Sequence, residues 1–120
     1  LFSGQNPTEV MAMVLMYKKA FEMTNNIRYY KNLIICFNWF LGKNDVGISL
    51  YDPFSRGCCN GIEEYGINGD QGAESTLSFL ISKIAAMETK RLYQSKSRPE
   101  KEYHPVANSL KIPAIRKSSA

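Results

Sequence analysis

Residues 7–42, PTEVMAMVLMYKKAFEMTNNIRYYKNLIICFNWFLG, decide the fold. Val10, Val14, Tyr17 and Phe21 recur at helical spacing, and Met11, Met13 and Leu15 widen the stripe, which predicts a first helix over about 7–24. Asn6 is placed to cap it, Pro7 suits its first turn, and Glu9 complements the positive end of the helix dipole. Thr24, Asn25 and Asn26 break the pattern. A second stripe, Ile27, Tyr30, Leu33, Ile34, Phe37, Phe40 and Leu41, predicts a second helix over about 27–41, which Gly42 closes in a left-handed cap. A turn this short makes the two helices an antiparallel hairpin. Ile35, Cys36 and Trp39 fall off the main stripe, so this helix expects neighbours on more than one side.

Beyond the hairpin runs a polar, glycine-punctuated loop over residues 42–72. Compact domains rarely carry such a loop unless it binds or reacts with something. Val46, Ile48 and Leu50 alternate with smaller residues, which predicts a short strand or β-hairpin around 46–60, and Asp52-Pro53 signals a turn. A third helix is expected from Ala73 to Tyr93, with Leu77, Leu80, Ile81, Ile84 and Ala85 as its core face and Lys83, Glu88 and Lys90 as its wet face. The fold class is therefore mainly α: a helical hairpin and a third helix, separated by the long loop.

The chain has 120 residues, enough for one small domain, and its 44% hydrophobic content is that of a folded protein. No apolar run is long enough to span a bilayer and no signal peptide is visible, while the opening Leu1 suggests a piece of a longer polypeptide. The net charge of +4 is unevenly placed. Residues 1–89 carry seven Lys/Arg against nine Asp/Glu, a net of −2, whereas residues 90–120 carry eight against two, a net of +6. The basicity thus belongs to a proline-containing tail, taken as residues 95–120. The folded part, residues 1–94, offers no basic stripe for a phosphate backbone, so neither nucleic acid nor a membrane is expected as partner.

Three cysteines make no disulfide framework, and the single histidine, His104, lies in the tail, so no metal site and no cofactor is expected. This usage fits a reducing, cytoplasmic setting. Nucleotide-binding glycine loops, a nucleophile elbow and HExxH are all missing from the sequence.

The loop carboxylates are the better constellation. Glycoside chemistry needs one acid to protonate the leaving oxygen and a second to act as base or nucleophile. Asp45, Asp52 and Glu74 could meet if the loop folds back over the third helix. Trp39 and Tyr51 flank the loop, and aromatic faces stack on sugar rings. Asn68 and Gln71 can hydrogen-bond hydroxyls. Each has a plainer reading beside this one. Glu74 also reads as a carboxylate complementing a helix start, Trp39 as a buried ring, and the amides as partners for the loop's own backbone.

Four stretches carry a resemblance: GQNPTEV (4–10), WFLGKND (39–45), LYDPFSRGCCNGI (50–62) and GINGDQGAESTLSFL (66–80). Together they resemble the C-terminal part of an α/α-toroid, or six-hairpin glycosidase-like, domain associated with group 1 (GT-B type) glycosyltransferases, often mannosyltransferases. The chain differs from that pattern at Asn6, Cys59 and Asp70. The resemblance implies a partial toroid whose loop and third-helix start face a glycan. Asp45, Tyr51, Asp52, Gln71 and Glu74 would then line a sugar site, with Trp39 as wall or platform and Glu74 as the first choice for acid or base. From the residues themselves, Asp52 is the second catalytic candidate and Asn68 a further substrate-binding one. The partner would be a carbohydrate or a glycan derived from a nucleotide sugar. One hairpin and one further helix do not close a ring, so the chain alone is not expected to catalyse. The competing expectation is a structural module that docks on missing helices of a longer parent, or self-associates, through apolar helix faces.

Overall fold

The computed structural model of the chain describes residues 4–97. Helix α1 spans Pro7–Thr24. Asn6 is extended, and its Oδ1 accepts from the Glu9 N–H at 3.0 Å, which satisfies one of the N–H groups that a helix start leaves unpaired. At the other end Asn25 takes the left-handed conformation (φ 58°) and donates its N–H to the Phe21 carbonyl. Asn26 then caps α2, Ile27–Asn38, by accepting from the Arg28 N–H at 3.0 Å. Asparagine suits both tasks because its short amide tolerates the left-handed region and mimics a backbone acceptor.

Helix α2 tightens into a 3-10 turn, Trp39–Leu41, and ends on Gly42 at φ 113°. Helix α3 runs Ala73–Ser97, past the expected end at Tyr93. The rest of the basic tail, 98–120, lies outside the described residues. The three helices alternate up, down, up. α1 and α3 are therefore parallel neighbours, as the 3.4 Å approach of the Thr8 and Ser78 hydroxyls and the 3.5 Å Lys18–Glu88 ion pair show.

The hairpin of the loop lies later than 46–60. β1 (Gly61–Glu63) pairs antiparallel with β2 (Gly66–Asn68), setting Ile62 opposite Ile67. Residues 46–60 hold an isolated bridge between Tyr51 and Cys58 instead. On the outer side of β1, Gln5 exchanges two backbone hydrogen bonds with Ile62, at 3.0 and 2.8 Å. The segment leading into α1 is thus stitched to the loop.

Two apolar clusters form the core. Trp39, Phe40, Leu50, Cys58, Ile62 and Phe79 lie under the loop, while Val14, Leu33, Ala85 and Ala86 lie between the helices. Val10 and Phe37 pack against both.

The expected core face of α3 is corrected. Its buried side is Ser75, Ser78, Phe79, Ser82, Ala85, Ala86 and Thr89. Leu77, Leu80, Ile81 and Ile84 face outward instead, each 41–56% exposed, and only Ala85 of the expected set is buried. Short side chains let α3 lie close against α1 and α2, and the bulky row is left on the opposite side. Leu41 is likewise exposed rather than part of the α2 core stripe.

Candidate functional site

The loop is held by its own polar groups. Asn44 accepts from the N–H groups of Val46 and Gly47 and donates to the carbonyls of Trp39 and Ile48. The Phe40 carbonyl accepts from the N–H groups of Leu50 and Tyr51. The Cys58 N–H donates to Thr76 Oγ1 at 3.1 Å, fastening the loop to the first turn of α3. Backbone that leaves regular structure must find such partners.

Several expected ligand-binding side chains are occupied by this bracing. Trp39 is buried, and its Nε1 donates to Gln5 Oε1 at 2.8 Å, while Gln5 Nε2 donates to Asp45 Oδ2 at 2.9 Å. Tyr51 stacks on Phe79 at 4.5 Å between ring centroids, with planes 14° apart, so one of its faces belongs to the core. Asn68 Oδ1 accepts from the Asp70 N–H and shapes the turn after β2.

Asp52 and Gln71 do come together. Gln71 Nε2 donates to Asp52 Oδ2 at 3.3 Å, and Gln71 Oε1 accepts from Ser55 Oγ at 2.7 Å. Asp52 Oδ1 also accepts from the Phe54 N–H at 2.9 Å. That backbone donor first, and the Gln71 amide second, hold the Asp52 carboxyl below its usual range.

Glu74 lies in the first turn of α3. It lines an open cleft of about 590 Å³ between the parallel starts of α1 and α3, together with Asn6, Thr8, Glu9, Asn60 and Ser75. Asn60 is its anchor: Oδ1 accepts from the Gly72 N–H at 2.9 Å and from Ser75 Oγ at 2.8 Å. Asp52, the other residue expected to act in acid–base chemistry, is not among the residues that line this cleft. Asp52 belongs to the loop's Gln71–Ser55 network, and the second carboxylate lining the Glu74 cleft is Glu9.

Glu9 and Asn60 are the site residues that sequence reasoning did not single out. A signal for Glu9 was present. Two helices separated by one antiparallel helix must start at the same end, and each of these starts carries a glutamate. Each carboxylate is favoured by the helix end it occupies, and amide and hydroxyl side chains line the cleft beside them.

Elsewhere, Phe21, Asn25, Ile27, Tyr93 and Lys96 border a more apolar hollow of about 460 Å³ at the far end of the helices. Among the described residues no three His, Cys, Asp or Glu side chains group as metal ligands, and no helix is long and apolar enough to cross a membrane. A scan of the chain against protein-family models finds no match, and no curated protein matches its sequence.

Proposed function

We propose that this chain is a segment of an α/α-toroid-like domain of a glycosyltransferase- or glycosidase-related protein, and that it binds carbohydrate in the cleft between the starts of α1 and α3. The observation that carries this reading is the convergence of Glu9, Glu74, Asn6 and Asn60 on one cleft at two parallel helix starts. Glu74 is the first choice for proton transfer, with Glu9 as the second carboxylate lining the same cleft. Asp52 and Gln71 would shape the rim. A partial ring surrounds a substrate on one side only, so the segment binds without turning it over. The free thiols of Cys36, Cys58 and Cys59 support a reducing, cytoplasmic setting. Calorimetric titration with mannose- and glucose-type oligosaccharides tests the reading. Saturable binding, lost in Glu74→Gln and Glu9→Gln with circular dichroism unchanged, is expected. An absence of heat with every oligosaccharide rejects it.

A second reading rests on a different observation. The outward row of α3, Leu77, Leu80, Ile84 and Met87, is a continuous apolar strip on a helix surface, the kind of surface that marks a docking site. On this reading the chain docks through α3, whatever its cleft holds.

A further inference from the structure

We propose that the surface seated on α3's outward row is a second copy of this chain, its α3 lying beside the first in parallel register. The proposal rests on the docking reading above and names its partner. Leu77, Leu80, Ile84 and Met87 are spaced three and four residues apart, and Arg91 continues the same line. Positions with this spacing form the seam of a two-stranded coiled coil, Leu77 and Ile84 at one seam position and Leu80 and Met87 at the other. The opposite side of α3, from Ser75 to Thr89, is already packed within the chain, so the seam is the face left open.

The charges beside the seam choose both partner and direction. One edge of the row carries Glu74, Ile81 and Glu88, and the other carries Thr76, Lys83 and Lys90. In a parallel pair, a residue on the second edge meets the residue five places later on the partner's first edge. Lys83 of each copy then meets Glu88 of the other, and two-fold symmetry makes the contact twice. In an antiparallel pair, like edges meet. Glu74 would then face Glu88, and Lys83 would face its own counterpart. Opposite-charge contacts favour an arrangement and like-charge contacts exclude it, so the row is self-complementary in one direction only. Glu88 already approaches Lys18 of its own chain at 3.5 Å and keeps enough exposure to accept a second cation.

Light scattering of the full chain across a concentration series is the test, with circular dichroism as the check on folding. A dimer is expected. Ile84→Glu, at an exposed position, should give a folded monomer. Lys83→Glu should weaken the dimer about tenfold, because two attractive contacts become repulsive. Combining it with Glu88→Lys should restore the mass. A dimer that Ile84→Glu leaves intact overturns the proposal, as does a charge exchange that fails to rescue. A monomer at every concentration also overturns it. In that case a hydrophobic dye separates the two ideas. Dye bound by the wild type and lost in Ile84→Glu leaves α3 as a docking face for another partner, and no dye binding ends the docking reading as well.

Discussion

Trp39 Nε1 donates to Gln5 Oε1 at 2.8 Å, and this bond joins the end of α2 to the segment that leads into α1. The indole is buried, so without Gln5 its N–H would lose its partner where water cannot easily replace it. Gln5→Leu is expected to lower stability by about 1–2 kcal/mol, read as a lower urea midpoint. Asp45→Asn should cost far less, because the Gln5–Asp45 bond is exposed. Equal midpoints for wild type and Gln5→Leu would show that the indole bond contributes nothing.

Gly61 marks the other attachment of the same segment. Its φ is 152°, and a Cβ there would run into the Gln5 carbonyl oxygen. Gly61→Ala must strain the backbone and push β1 away from Gln5, where two backbone hydrogen bonds are made. A loss of about 2 kcal/mol or more is expected, with faster amide exchange at Gln5 and Ile62. By contrast, Gly69→Ala meets open space and should be close to neutral.

These two attachments were not legible in the sequence, whereas the hairpin was. Asn6, Pro7, Glu9 and the Asn25-Asn26 turn are local signals, and α1 begins and ends where they place it. The start of α3 was legible too, but its last turn and its orientation were not. Periodicity reports that a helix has a bulky apolar row without saying which way the row points. Here Ser75, Ser78, Ser82 and Ala86 take the interior because close approach to α1 and α2 favours short side chains. Glu74 was singled out from sequence, but its neighbours in the cleft depend on α1 and α3 lying side by side. In the sequence Trp39 and Tyr51 carry both a sugar-platform and a core reading, with burial the commoner fate for the tryptophan. Gln5 and Phe79, the partners that hold them in the fold, are both far from them in sequence.

Cys58 offers a prediction with a direction in pH. Burial chiefly, and Cys59 beside it, push the Cys58 thiol up to about 12 from an ordinary 9.0. Below 9.0 the thiol is protonated in both folded and unfolded chains and stability does not depend on it. Above 9.0 the unfolded chain releases this proton while the folded chain keeps it, so stability falls as pH rises, until the folded thiol ionises near 12. The slope from this one group should approach about 1.4 kcal/mol per pH unit, and Cys58→Ala should flatten it. Iodoacetamide at pH 8 should leave Cys58 unmodified in the folded chain and modify it in urea.

Asp52 works in the opposite sense. Its carboxyl is held low by the Phe54 N–H and then by Gln71, so the folded form binds its proton less readily than the unfolded chain does. The stabilisation is present above the ordinary 3.8 and is lost as pH falls through the lower folded value. An NMR titration should place the Asp52 midpoint below 3.8, and Gln71→Ala should move it back upward. A midpoint unmoved by Gln71→Ala would show that the Phe54 and Ser55 donors hold the carboxyl low without the amide.

Ser82 supplies the last prediction. It is fully buried on the inner side of α3, and among the described residues its hydroxyl has no hydrogen-bond partner. Thr89, two turns later on the same side, donates to the Ala85 carbonyl at 2.7 Å and so satisfies its own hydroxyl. Burying an unpaired hydroxyl costs free energy that an alanine would not, and alanine is also the better helix former. Ser82→Ala is therefore expected to raise the urea midpoint, by about 1 kcal/mol of stability, with the slope unchanged. A larger residue should do the reverse. Ser82→Leu would force α3 away from α1 and α2 and cost about 1–3 kcal/mol through overpacking. If Ser82→Ala instead lowers stability, the hydroxyl makes a bond that holds α3 in place, and the close packing of α3 cannot be credited to small size alone.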